Sequence, residues 1–283
     1  MGELVLAAKV THVPTMLLSE QPGALKGSRK PAIEGHREIG RRARAAGADT
    51  VIVLDTHWLV NAAYHINSNK RFKGTYTSHE FPHFIQNLDY DYRGNPELGD
   101  LIAEKAQARG VNAMSHQVET LDLEYGTLVP LYYQDPEAKL KVVSVAAWCT
   151  VHSLAASRQL GEAIREAIEA SDSKVVLLAS GSLSHKIWEN ELYEANNGTF
   201  TISSEFNRQM DLRVLDLWRQ GEFATFVKML PEYAEHCCGE GGMHDTAMLL
   251  GALGWDDYGE GVEIVTEYFP SSGTGQVIAA FPV

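Results

Sequence analysis

The sequence predicts an α/β fold: a single domain over residues 1–283, with a central mostly parallel or mixed sheet flanked by helices and an active site at the strand carboxyl ends. Three observations predict it. Branched aliphatic runs of strand length alternate with segments of helical period, the order that builds strand–helix–strand units with right-handed crossovers. The central runs are continuously apolar, as strands buried on both faces are. Four of these runs end within a few residues on a histidine, at the edge where open α/β sheets bind their ligands.

The first strand is expected over residues 4–10, running into Thr11 and His12, with Pro14 stopping a direct run into helix. Residues 18–31 hold Pro22, Gly23, Gly27 and Pro31 and read as a long loop. A helix follows over 32–46, with Ile33, Ile39, Ala43 and Ala46 on one side, Arg37, Glu38, Arg41, Arg42 and Arg44 on the other, and Gly47 closing it. The next strand, from Thr50, is the one the chain is organised around: Val51 to Leu54 are all branched aliphatics, and then come Asp55, Thr56 and His57.

Residues 59–94 have less periodicity. Short strands are expected near 62–66 and 73–77, and His79, Pro82, His83, Tyr90, Asp91 and Tyr92 crowd the remainder. That stretch reads equally as a functional loop and as an aromatic-rich surface excursion. Asn95-Pro96-Glu97 joins a cap residue, a first-turn proline and a first-turn acid, so a helix is expected from there to Arg109. A short strand near 111–114 follows, and 121–131 mixes turn and apolar signals.

A strand at 141–148 leads to Cys149 and His152; a helix at 155–169 has Leu160, Ile164 and Ile168 stepping by four along one buried face. The strand at 174–179 runs into Ser180-Gly181-Ser182-Leu183-Ser184-His185. A loop over 186–200 precedes helices at 203–219 and 222–229. Gly239-Glu240-Gly241-Gly242 opens an apolar helix ending at Leu253, and two strands near 262–266 and 275–280 finish the chain. No linker or internal repeat divides it.

Composition narrows the function. A net charge of −13 argues against nucleic acid, whose phosphates need a basic surface. No apolar stretch approaches the ~18 residues of a membrane span. The amino terminus has no basic-then-apolar signal pattern. Three cysteines, Cys149, Cys237 and Cys238, cannot build a disulfide framework, so a cytoplasmic location is expected.

A histidine after one strand is most often a hydrogen-bonded loop residue. His12, His57, His152 and His185 at one end of one sheet are a different matter, because converging neutral imidazoles bind a transition metal. The sharp hypothesis is a mononuclear site from His12, His57 and one carboxylate, a set that leaves positions open for substrate and dioxygen. The acid could be Asp55, Glu240 or Asp245. Asp55 can share a strand face with His57 or orient an imidazole from behind it. Glu240, taken alone, reads as a solvated acid among 37. Zinc-protease, phosphate-loop and dinucleotide motifs are absent, Ser180-Gly181-Ser182 is a poor nucleophile turn, and Cys237-Cys238 read as buried thiols.

Five segments, in order and spacing, carry a resemblance: Thr11-His12-Val13-Pro14, Leu54-Asp55-Thr56-His57-Trp58, Leu123-Glu124-Tyr125-Gly126-Thr127-Leu128-Val129-Pro130-Leu131, Ser180-Gly181-Ser182-Leu183-Ser184-His185 and Gly239-Glu240-Gly241-Gly242-Met243-His244-Asp245. Over nearly its whole length the chain resembles the class III extradiol ring-cleaving dioxygenases, the protocatechuate 4,5-dioxygenase superfamily, and within it members taking a catechol with a carboxymethyl side chain. The resemblance implies Fe(II) held by His12, His57 and Glu240, with Asp245 in reserve for the acid. It implies His185 as the active-site acid–base, a small catechol and dioxygen as substrates, a muconic semialdehyde as product, and a homo-oligomer.

One departure stands out. Many members have Asp-His-Gly where this chain has Glu124-Tyr125-Gly126, so Tyr125 does a reduced version of that histidine's work or His116 takes it over. Two rival readings use the same scaffold: a Zn²⁺ hydrolase, and a binding relative with no ring-cleaving activity. Metal content, and colour formation from catechols in air, separate the three.

Overall fold

The computed structural model describes residues 1–149 and 151–283. In chain order its elements are β1 (Glu3–Val10), α1 (Thr15–Glu20), α2 (Lys30–Ala45), β2 (Thr50–Val60), β3 (Tyr64–Asn67), β4 (Arg71–Tyr76), β5 (Leu88–Gly94), α3 (Pro96–Ala108), β6 (Ala113–His116) and α4 (Tyr125–Gln134). There follow β7 (Lys141–Cys149), α5 (Leu154–Ala170), β8 (Lys174–Ser180), α6 (Asn190–Tyr193), α7 (Glu205–Arg219), α8 (Phe223–His236), α9 (His244–Leu253), β9 (Glu263–Ser271) and β10 (Thr274–Phe281). Among the described residues ten strands form one mixed sheet, ordered β4-β5-β7-β2-β8-β1-β10-β9, with β3 bridging β6 and β7.

The middle of the sheet is parallel: β2 lies between β7 and β8, and β8 pairs with β1. Antiparallel strands, β10 and β9 on one side and β4 on the other, close its edges. The run Val51 to Leu54 is apolar throughout because both faces are covered. Ile52 and Leu54 enter a core beneath α3, α5, α7, α8 and α9, while Val51 and Val53 enter a second core beneath α2 and α4. The mostly parallel or mixed α/β sheet expected from the sequence is the one found.

The register explains where chemistry can sit. β2 and β7 pair regularly up to Asp55 and Ala146 and resume at Leu59 and Trp148, four steps on one strand against two on the other. His57 lies in that irregularity, freed from the ladder at the carboxyl end of the sheet.

Several local expectations are corrected. Pro14 does not end helix formation but is the N-cap of α1, whose last three residues fall in the region expected to be loop. The mixed segment at 121–131 is largely α4, which continues past Pro130. α8 runs on through Pro231 to His236. β5 occupies residues read as aperiodic.

Candidate metal centre

β1 delivers His12, β2 delivers His57, and the 3-10 turn Glu240–Met243 before α9 delivers Glu240. One ligand atom from each lies within 4.8 Å of the others. His12 Nε2 is 3.1 Å and His57 Nε2 3.6 Å from the same oxygen, Glu240 Oε1. The two rings stand nearly perpendicular, 4.7 Å apart.

Each of the three is held from behind. Pro130 has no N–H, so the Gly126 carbonyl one turn earlier in α4 has no helical partner. The Ser180 hydroxyl donates to it at 2.5 Å, and Ser180 Oγ therefore accepts from His12 Nδ1–H at 2.9 Å. His12 consequently turns Nε2 to the site. Asp55 fixes the strand at His57, accepting from the His57 backbone N–H at 2.8 Å and from Thr127 Oγ1 at 2.6 Å. Burial, reinforced by His12, pushes the His57 imidazolium down to about 3, so His57 is neutral.

Glu240 is placed by backbone that only a special turn allows. Gly241 and Gly242 have φ of 57° and 70°, and a Cβ on Gly241 would meet the Ala147 carbonyl at 2.9 Å. The buried carboxylate accepts from Thr56 Oγ1 on Oε1, and from Ser182 N and Ser182 Oγ on Oε2, at 2.5–2.6 Å. Burial works to raise its pKa, but the charges and hydrogen bonds of His185 and His12 outweigh it and hold the carboxyl well below the usual range.

These groups fit a metal ion. His12 Nε2 and His57 Nε2 both point at one oxygen of the buried Glu240 carboxylate, at 3.1 and 3.6 Å, so three ligand atoms from three separate segments converge on one spot. Two imidazoles and a carboxylate on one side are the donor set of a divalent transition metal with open positions.

His185 closes one side of the centre. Because Ser182 Oγ–H goes to Glu240, Ser182 Oγ accepts from His185 Nδ1–H at 2.8 Å, leaving Nε2 to face the open site. Burial lowers the His185 pKa, but the charge and hydrogen bond of Glu240, with the charge of Glu80, together outweigh it and leave the balance above the ordinary value. Tyr125 closes the other side, its ring 3.8 Å from that of His57 and its hydroxyl donating to Glu80 Oε2 at 3.4 Å. Burial, then Glu80 and Glu240, drive the Tyr125 phenol above the ordinary range, so it stays protonated.

Other sequence candidates fall outside. His152, expected to converge with the rest, lies beyond the end of β7 and turns away: its ring stacks 4.0 Å from Tyr64 and Nε2 bonds to the Ala63 carbonyl. His116 pairs with His65 at 2.7 Å on β6 and β3. Asp245 is committed to Lys9. Asp55 orients the His57 main chain rather than an imidazole. The sequence reading missed Ser180, Ser182 and Thr56 as donors and acceptors around the site, although polar residues terminating apolar strands were a signal for them. It also missed Glu80, for which the surrounding aperiodic segment gave no signal.

The family model described as the catalytic LigB subunit of aromatic ring-opening dioxygenase matches residues 6–282. The chain belongs to the LigB family. As a member of this class III extradiol dioxygenase family it is similar, at 57% identity over 91% of this chain and 93% of the other, to a 3,4-dihydroxyphenylacetate 2,3-dioxygenase of Escherichia coli. It is also similar, at 26% identity over 84% of this chain and 82% of the other, to a 2-aminophenol 1,6-dioxygenase beta subunit of a Pseudomonas species. An uncharacterized Escherichia coli K12 protein of known crystal structure shares the fold, with a TM-score of 0.64 at 15% identity, covering 98% of this chain and 100% of that one. LigB-family membership implies a metal cofactor, and the His12–His57–Glu240 cluster is a group that could hold it.

Proposed function

We propose that this chain opens the aromatic ring of 3,4-dihydroxyphenylacetate with dioxygen by extradiol cleavage, at a mononuclear Fe(II) site held by His12, His57 and Glu240, giving a muconic semialdehyde. The observation that carries the reading is the donor set itself, two imidazoles and one buried carboxylate, flanked by His185 and Tyr125. The 57% identity to a 3,4-dihydroxyphenylacetate 2,3-dioxygenase supports the choice of substrate.

An Fe(II) ion held by His12, His57 and Glu240 would supply open positions for the catechol and dioxygen and a path for electrons between them. The chain's own residues do the rest. His185 holds a proton on Nδ1 against Ser182 and exchanges a second at Nε2, taking one from the catechol and returning it as the O–O bond breaks. Tyr125, kept protonated by its burial, donates a hydrogen bond toward a substrate oxygen in place of the Glu80 carboxylate that accepts it here. It takes the part of the family's second histidine as a hydrogen-bond donor. The Tyr125 ring over His57 also keeps water from that ligand.

Both oxygen atoms of dioxygen enter the product, so no external reductant is needed. The enzyme acts as a single cytoplasmic domain over residues 1–283 and as a homo-oligomer. No helix among the described residues is long and apolar enough to cross a membrane, and two relatives described as alpha and beta subunits support an assembly of LigB-family chains.

The test is oxygen uptake by iron-loaded protein across substituted catechols. One dioxygen consumed per 3,4-dihydroxyphenylacetate, with a yellow product and weaker turnover of catechols lacking the carboxymethyl group, is the expected result. No uptake with any catechol contradicts the reading.

A further inference from the structure

Lys9 and Asp245 form an ion pair in which neither side chain reaches solvent. No step of the proposed chemistry uses it. Its position is informative. Lys9 lies on β1 opposite Ala179, three residues before His12. Asp245 lies in the first turn of α9, five residues after Glu240. The other oxygen, Asp245 Oδ1, accepts from Thr246 N at 2.6 Å and Thr246 Oγ1 at 3.2 Å, so the carboxylate is fixed at both ends.

Gly181 packs directly on the pair. A Cβ there would lie 3.1 Å from Asp245 Oδ2 and 3.2 Å from Lys9 Nζ. Gly181 separates Ser180, which accepts from His12, from Ser182, which donates to Glu240 and accepts from His185. The pair is therefore the floor of the turn that orients two ligands and the acid–base. A buried ion pair stabilises a fold no better than a well-packed apolar pair of similar volume. What it adds is direction, because only one relative placement of the two segments leaves neither charge unpaired.

We propose that Lys9 and Asp245 are positioning residues that lock the Glu240 turn to the His12 strand at the separation a shared metal ion needs. The proposal rests on the reading of His12, His57 and Glu240 as metal ligands.

The test compares full-length wild type, Lys9→Met, Asp245→Asn and the double variant, by anaerobic Fe(II) dialysis and thermal unfolding. Each single variant weakens Fe(II) binding by about tenfold or more, the range in which loss of a supporting partner acts. In the double variant no charge is left unpaired, so the melting temperature recovers while Fe(II) affinity does not. Wild-type affinity in a single variant or in the double variant overturns the proposal. A double variant that remains as unstable as the single ones, or does not fold, assigns the pair to folding and overturns it as well. Wild-type protein that binds no Fe(II) contradicts the metal-site reading itself, an outcome distinct from wild-type binding retained in the variants.

Discussion

His12 shows how far a single side chain's chemistry is set by others. Pro130 withholds an N–H, Gly126 keeps a free carbonyl, Ser180 spends its proton there, and His12 must turn Nε2 to the site. His185 is fixed in the same way through Ser182. His185→Gln keeps the ligand set intact, so it is expected to retain iron while turnover falls by about 10²-fold or more; steady-state oxygen uptake with parallel iron analysis checks it, and an unchanged rate removes the acid–base role.

His36 makes a prediction about stability. It is fully buried in α2, with Nε2–H donating to the Thr11 carbonyl and Gln134 donating to Nδ1, both at 2.9 Å. Burial pushes it from 6.5 down to about 3. Below pH 6.5 the unfolded chain binds a proton that the folded chain refuses, so this contribution is complete above 6.5 and is lost as pH falls toward 3. One proton corresponds to about 1.4 kcal/mol per pH unit within that window. His36→Gln should remove this slope from urea-unfolding stabilities measured between about pH 4 and 6; a variant with the wild-type slope contradicts the account.

The residues legible in the sequence were those whose type names their chemistry: the histidines that end apolar strands. Glu240 was not, because its acidity is ordinary and its meaning lies in two left-handed glycines and in partners from β2 and the turn after β8. His152 was misread because a histidine three residues past a strand is no longer constrained to that strand's direction.

At the scale of elements, α5 and α9 cross closely enough to exclude side chains. A Cβ on Gly161 would lie 2.0 Å from the Met248 carbonyl, and one on Gly251 would lie 2.2 Å from the Arg158 carbonyl. Gly161→Ala must push backbone apart and is expected to cost about 1–3 kcal/mol, read by chemical denaturation. Stability equal to wild type would mean that the two helices do not meet there. Elements with local signals were readable: Asn95 caps α3 as expected, its side chain accepting from Leu98 N at 3.2 Å. α4 was hidden because nearly every residue is buried, which leaves no polar face to mark a period, and because Pro130 argues against helix. β5 did carry a signal. Tyr90 and Tyr92 point inward between exposed Asp89, Asp91 and Arg93, the alternation of a strand with one face buried, here paired to β4.

For the whole molecule, parallel pairing of β7, β2, β8 and β1 brings His12, His57 and His185 to one end, and the chain must then return through three more helices before Glu240 completes the group. Order of strands and return path are not written in any local stretch, which is why the site's acid stayed open among three candidates while its histidines did not. A centre assembled from distant segments couples metal to fold: at free Fe(II) a hundred times its dissociation constant, binding adds about 2.7 kcal/mol to the stability of the native chain. The most direct measurement is therefore anaerobic Fe(II) titration of the apoprotein beside His12→Ala, His57→Ala, Glu240→Ala and His185→Gln. One iron per chain in wild type and in His185→Gln, and none retained by the other three, is the predicted result; stoichiometric iron held by any of those three contradicts it.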